Sequence, residues 1–134
     1  MRRALYIPGV VLGLSLAANG AMAQTSTAGW QSTPASVLKT VLRNVVAAQD
    51  KYRATHATFA GSVEALRLNL GSEVKVQITR ATEGGWRAKG THRTRPGRSC
   101  VVFVGRLSAT EAPRTDGDGE MAGEERVPLC DRME

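Results

Sequence analysis

The apolar pattern of this chain changes period once, from a helical repeat before residue 56 to strict alternation after residue 73, and that change restricts the folds open to it. In the first stretch Val37, Leu38, Val41, Leu42, Val45, Ala48 and Tyr52 recur at spacings of three and four, forming one broad stripe of a helix. Lys39, Arg43, Asp50 and Arg53 lie largely off it. Thr33-Pro34 supplies the start, with threonine as N-cap and proline at the first helical position. The spacing predicts a helix from Pro34 to about Thr55, roughly 33 Å long at about 1.5 Å per residue. Ala57 to Gly61 reads as a turn, and Ser62 can cap a short helical turn from Val63 to Arg67.

In the second stretch, from Glu73 to Arg80, Val74, Val76 and Ile78 alternate with Lys75, Gln77 and Thr79, the pattern of a half-buried strand. Glu83-Gly84-Gly85 is a hairpin turn in which glycine is expected to supply a positive φ. Trp86 to His92 is the second strand. Trp86, Ala88 and Gly90 share one face; Arg87, Lys89 and Thr91 share the other. Arg95-Pro96-Gly97 is the next turn. Ser99 to Gly105 is apolar on both faces, so this strand is expected to be covered from both sides. Neither a striped helix nor a one-faced sheet can hide its apolar surface alone. The predicted fold is therefore α+β: one long N-terminal helix packed on a three-stranded antiparallel meander. Residues 106–126 are rich in Gly, Asp, Glu, Thr and Pro without an apolar period, and read as a long acidic loop. Val127-Pro128-Leu129-Cys130 is the last apolar patch, and 132–134 is a tail.

Residues 1–23 have the composition of a secretory signal peptide: Arg2 and Arg3, an apolar run from Ala4 to Ala18, then Ala21-Met22-Ala23 before Gln24. Cleavage after Ala23 would leave a flexible lead-in over 24–33 and one domain over 34–131. The alternative is retention of the run as an anchor. At about 15 residues, and containing Pro8, Gly9 and Gly13, it falls short of the ~20 needed to span a bilayer. The expected location is periplasmic or extracellular, where no ATP or NAD supply is expected. Cys100 and Cys130 are the two cysteines of the chain. In an oxidising compartment they are expected to form a disulfide closing the C-terminal loop. In the chain-entropy account such a loop contributes about 3–4 kcal/mol. A metal or redox pair is the competing reading, weakened by the absence of a C-x-x-C.

The net charge of +6 is unevenly spread. Arg80, Arg87, Lys89, Arg93, Arg95 and Arg98 face Glu83 alone in their stretch, whereas the stretch from Glu111 onward is acidic. The strip Arg87, Lys89, Arg93, Arg95 and Arg98 is a candidate site for an anionic ligand, DNA or polysaccharide. The other reading is neutralisation by the protein's own acidic tail. Asp116, Asp118 and Glu120 are spaced as in hard-cation loops but lack the later bidentate glutamate of an EF-hand, so a solvated loop is expected rather than calcium or any other metal. No G-x-S-x-G, H-E-x-x-H or phosphate-cradling glycine loop is present. His56 stands at a helix end and His92 at a strand end, and neither is expected to be catalytic or a metal ligand. A non-enzymatic protein without a cofactor is expected.

Val45-Val46-Ala47-Ala48-Gln49-Asp50-Lys51-Tyr52, followed by Thr55-His56-Ala57-Thr58-Phe59-Ala60, resembles the A-Q-x-x-Y … H/N-G-x-Y/F segment of type IV pilins and pseudopilins. Gly85-Trp86-Arg87-Ala88 is similar to the G-[YW]-x-A that opens their second strand. Ser99-Cys100 and Val127-Pro128-Leu129-Cys130-Asp131 are similar to their cysteine-bounded C-terminal loop. The resemblance covers Ser36 to Asp131. It implies a long helix, an αβ-loop and a meander, and a role as an accessory or interaction protein of type IV pilus or type II secretion machinery. Two departures stand out. The leader lacks the prepilin Gly followed by Phe-Thr-Leu-Ile-Glu, so a pilin head without a polymerising stalk is expected. Ala57 stands where the family has glycine.

Overall fold

The computed structural model describes residues 32–106, 108 and 110–133; the leader and nearly all of the lead-in lie outside them. The chain forms helix α1 (Pro34–His56), a single 3₁₀ turn (Glu64–Leu66), and strands β1 (Val74–Ala81), β2 (Gly85–His92), β3 (Ser99–Gly105) and β4 (Leu129–Cys130). The strands form one antiparallel sheet in the order β1-β2-β3-β4. The α+β class and the long helix are as the sequence predicts. The strand count is not: a fourth strand pairs with β3, Cys100 opposite Cys130 and Val101 opposite Leu129. It is two residues long and follows Pro128, which has no N–H for a ladder, so no alternation announces it.

The start of α1 follows from its sequence. Thr33 is extended, and its Oγ1 accepts the Ser36 amide at 3.2 Å. The helix ends at Ala57, which adopts the left-handed conformation (φ 60°) and donates its N–H to the Arg53 carbonyl at 2.9 Å. That is the position where glycine ordinarily stands.

Leu38, Leu42 and Val45 are fully buried against Trp86 and Ala88 of β2, Val102 and Val104 of β3, and Val74 and Val76 of β1. Burying each such side chain stabilises the fold by about 1.5–3 kcal/mol. The helix lies directly over β2 at Gly90. A Cβ there would stand 3.3 Å from Leu38 Cδ2 and 3.6 Å from Leu42 Cδ2. Trp86 is fully buried in this core, and its Nε1 has no hydrogen-bond partner among the described residues. Met133 is buried with the same cluster, so the packed unit continues beyond Asp131.

At the β1–β2 hairpin the expected positive φ falls elsewhere. Thr82 organises the turn, its Oγ1 accepting the Gly84 and Gly85 amides at 3.2 Å each. Neither Gly84 nor Gly85 has a positive φ; Gly105 at the end of β3, paired with Gly85, does (φ 97°). Glycine is needed at position 85 because of proximity: a Cβ there would meet the Val104 carbonyl oxygen at 2.5 Å. β3 is covered on both faces. Val102 looks into the helix-side core at 0% exposure, and Val101, on the opposite face, is 1% exposed.

Candidate functional site

The outer face of the sheet, opposite α1, carries two of the cations singled out in the sequence, Arg87 and Lys89. Alternation along β2 puts Trp86, Ala88 and Gly90 against the core and leaves Arg87 and Lys89 half-buried on the other side. Phe103 and Val101 of β3 stand opposite these two residues. The segment between β3 and β4 crosses this face. Thr115 and Ala122 are buried, and an isolated bridge joins Arg114 to Met121.

The strip does not converge on a single point. Arg87 donates from Nη1 to the Glu111 carbonyl. Lys89 Nζ pairs with Asp116 at 3.2 Å, and Arg98 Nη1 pairs with Asp118 at 2.8 Å. Arg93 follows the end of β2 and reaches back to Glu73, 2.8 Å away. Arg95 donates to the Met133 carbonyl at 3.4 Å and the Thr94 carbonyl at 3.0 Å. Arg80 of β1, outside the predicted strip, pairs with Glu111 at 3.0 Å. The Ser108 amide and hydroxyl, and then Arg80, hold the Glu111 carboxyl below its ordinary value. Exposed pairs of this kind each contribute little to stability, because water and salt screen them. Together they give the strip an intramolecular set of anions.

The node that fixes the crossing segment is Asp131, which is 3% exposed. Its Oδ2 accepts the Ser99 and Gly117 amides at 2.8 Å each, and its Oδ1 accepts the Asp118 amide at 2.6 Å. The Asp131 amide in turn donates to the Ser99 carbonyl at 2.9 Å. Burial alone would raise this carboxyl; the Thr115 hydroxyl and the three amides outweigh it and hold the pKa at about 2. Asp131 is adjacent to Cys130, whose disulfide to Cys100 closes the segment onto β3 with a Cα–Cα distance of 3.9 Å.

The acidic repeat Asp116, Asp118 and Glu120 does not form a cation cage. Two of its carboxylates face Lys89 and Arg98, and no cluster of three or more His, Cys, Asp or Glu side chains suited to a metal occurs among the described residues. His56 stacks on Tyr52, ring centroids 3.9 Å apart, with Nδ1 2.8 Å from Thr55 Oγ1. His92 Nδ1 accepts the Thr94 amide at 3.2 Å.

A second feature joins α1 to the loop after it. Gln49 is fully buried, accepts the Ala60 amide on Oε1 and donates from Nε2 to the Ala60 carbonyl, both at 2.8 Å. Arg53 lies over the Phe59 ring, 5.0 Å from its centroid. Gln49 and Asp131 enter the sequence reading only as members of the segments that resemble pilins, without a physical role of their own. Gln49 carries a signal, a polar residue four positions after Val45 on the apolar stripe. Asp131 carries none, because its partners lie 13 to 32 residues away.

No helix among the described residues is long and apolar enough to cross a membrane. The cleavage residues Ala21, Ala23 and Gln24 lie outside the described residues. No protein-family model matches the chain, and no curated protein matches it.

Proposed function

We propose that this chain is an exported, non-enzymatic accessory or interaction protein with a pilin-like head, acting alongside type IV pilus or type II secretion machinery. The observation that carries this reading is the clamp between Gln49 and Ala60. It gives the A-Q-x-x-Y segment a physical purpose: a buried amide closes the helix end onto the αβ-loop. The order of elements agrees with the same reading, with a long helix, then the loop, then the antiparallel meander, then a segment closed by Cys100 and Cys130. The disulfide favours an oxidising compartment, in keeping with the composition of residues 1–23. Cleavage after Ala23 would leave the head without a stalk, suited to bind a filament or secretion complex rather than to build one.

N-terminal sequencing of the protein recovered from its native cells, with affinity capture of its partners, tests both parts. The expected start is Gln24, and pilin or secretion components co-purify. A start near Arg3 or Ala4 would restore prepilin-type processing and end the stalkless reading. Correct export without any such partner would end the assignment to this machinery.

A further inference from the structure

We propose that the hollow between the outer face of the sheet and the 110–114 segment binds a small carboxylate with an apolar body. The hollow encloses about 330 Å³, at the lower end of the range of small-ligand sites. Arg87 and Lys89 of β2 and Arg114 of the crossing segment line it, together with Val101, Ala112 and Pro113. It therefore combines three cations with an apolar wall, and no carboxylate is among its lining residues.

The cations of the hollow are only partly neutralised by the protein itself. Asp116 takes Lys89 from outside the lining, and the Glu111 carboxylate pairs with Arg80; Arg87 hydrogen-bonds the Glu111 carbonyl and acts on the Glu111 carboxylate only as a nearby charge, without pairing with it. Arg114 gives one hydrogen bond, from Nη1 to the Gly119 carbonyl at 3.1 Å. A guanidinium has five N–H donors and an ammonium three. Each of these cations uses one donor on the described protein, and all three side chains belong to a lining that includes no carboxylate. A carboxylate provides two oxygens able to accept from a guanidinium in parallel. An apolar body attached to it would cover Val101, Ala112 and Pro113, which inorganic anions cannot do. Two sources supply this chemistry: a free organic acid, or the C-terminal residue of a peptide. The site does not depend on the pilin-like reading and stands if that reading fails.

The test is titration of the ¹⁵N-labelled full chain, followed by amide shifts, with four probes and the C-terminal amide of the peptide probe as a control. Hexanoate and a tetrapeptide ending in leucine with a free carboxyl represent the two sources. Hexanol and inorganic sulfate separate the apolar body from the charge. Saturable shifts at residues 87–89, 112 and 114 with hexanoate or the peptide, and weaker shifts with hexanol and sulfate, are expected. Response to hexanoate alone assigns a free acid; response to the peptide but not to its C-terminal amide assigns a chain terminus. Arg114→Gln is expected to weaken binding about tenfold, the loss of one charge-assisted hydrogen bond. Arg93→Gln, which removes the same charge outside the hollow, should leave affinity within about twofold, the scale of a screened distant charge. Lys89→Gln repeats the test from the rigid strand should Arg114→Gln loosen the segment. The proposal is overturned by no saturable response to either carboxylate. Equal response to sulfate, or equal loss in Arg93→Gln and in the lining variants, overturns it as well.

Discussion

Replacing Asp131 with asparagine keeps the shape of the side chain and removes its charge. The carboxyl stands at about 2 in the folded protein against an ordinary value of 3.8. At about 1.4 kcal/mol per unit, that displacement contributes about 2 kcal/mol of stability at neutral pH. Asparagine can present its oxygen to the Ser99 and Gly117 amides, but its NH₂ then faces the Asp118 amide, donor against donor. Asp131→Asn is therefore expected to lose about 2 kcal/mol at pH 7. The sign with pH follows from a depressed folded pKa. Above about pH 4 the carboxylate is ionised in folded and unfolded chains alike, and the whole contribution is present. As pH falls from about 4 towards 2, the unfolded chain takes up a proton that the folded chain refuses, and the advantage disappears. Urea unfolding of both proteins at a series of pH values, from neutral to about 2, measures the difference directly. Other carboxyls titrate in both proteins and largely cancel. A stability difference that stays constant across this range would show that Asp131 acts by packing and not as an anion. A difference near zero at pH 7 would show that its three amide bonds hold nothing.

Three further outcomes follow from the packing. Gln49→Leu leaves the buried Ala60 amide and carbonyl without partners and should cost about 2–4 kcal/mol, read from the urea midpoint. Ala57→Gly relieves a left-handed alanine at the end of α1 and should stabilise by about 1 kcal/mol, visible as a higher melting temperature. Gly90→Val would press a branched side chain against Leu38 and Leu42 and should cost about 1–3 kcal/mol, whereas Thr91→Val on the opposite face should change stability little in the same thermal scan.

What was legible in the sequence was periodic. The stripe from Val37 to Tyr52 and the cap at Thr33 give α1 to within a residue of its end. The alternation of Val74, Val76 and Ile78 and that of Trp86, Ala88 and Gly90 give two strands and their inward faces. The two-sided apolar run at β3 announces a cover on its second face, though not what supplies it. β4 was illegible because two residues have no period and its ladder partner lies 30 residues earlier. The outer face was legible only as composition. The sequence grouped Arg87 to Arg98 as one strip, but backbone direction separates them. Arg87 and Lys89 stand on the sheet, Arg93 turns to Glu73, and Arg95 turns to the C-terminal segment. Asp131 could not be singled out among the neighbouring acids, because three amides distant in sequence select it.

The bond between Cys100 and Cys130 divides the chain topologically. It makes a covalent ring from β3, the crossing segment and β4, while α1, β1 and β2 lie on the linear chain before it. A protease that cuts within the ring, after Arg114 or Arg126 for example, opens a loop without releasing a fragment. A cut after Arg67 severs the chain into two pieces held together by the core alone. On an exposed surface in a proteolytic medium, the acidic crossing segment can thus be nicked and stay tethered to the sheet face it covers.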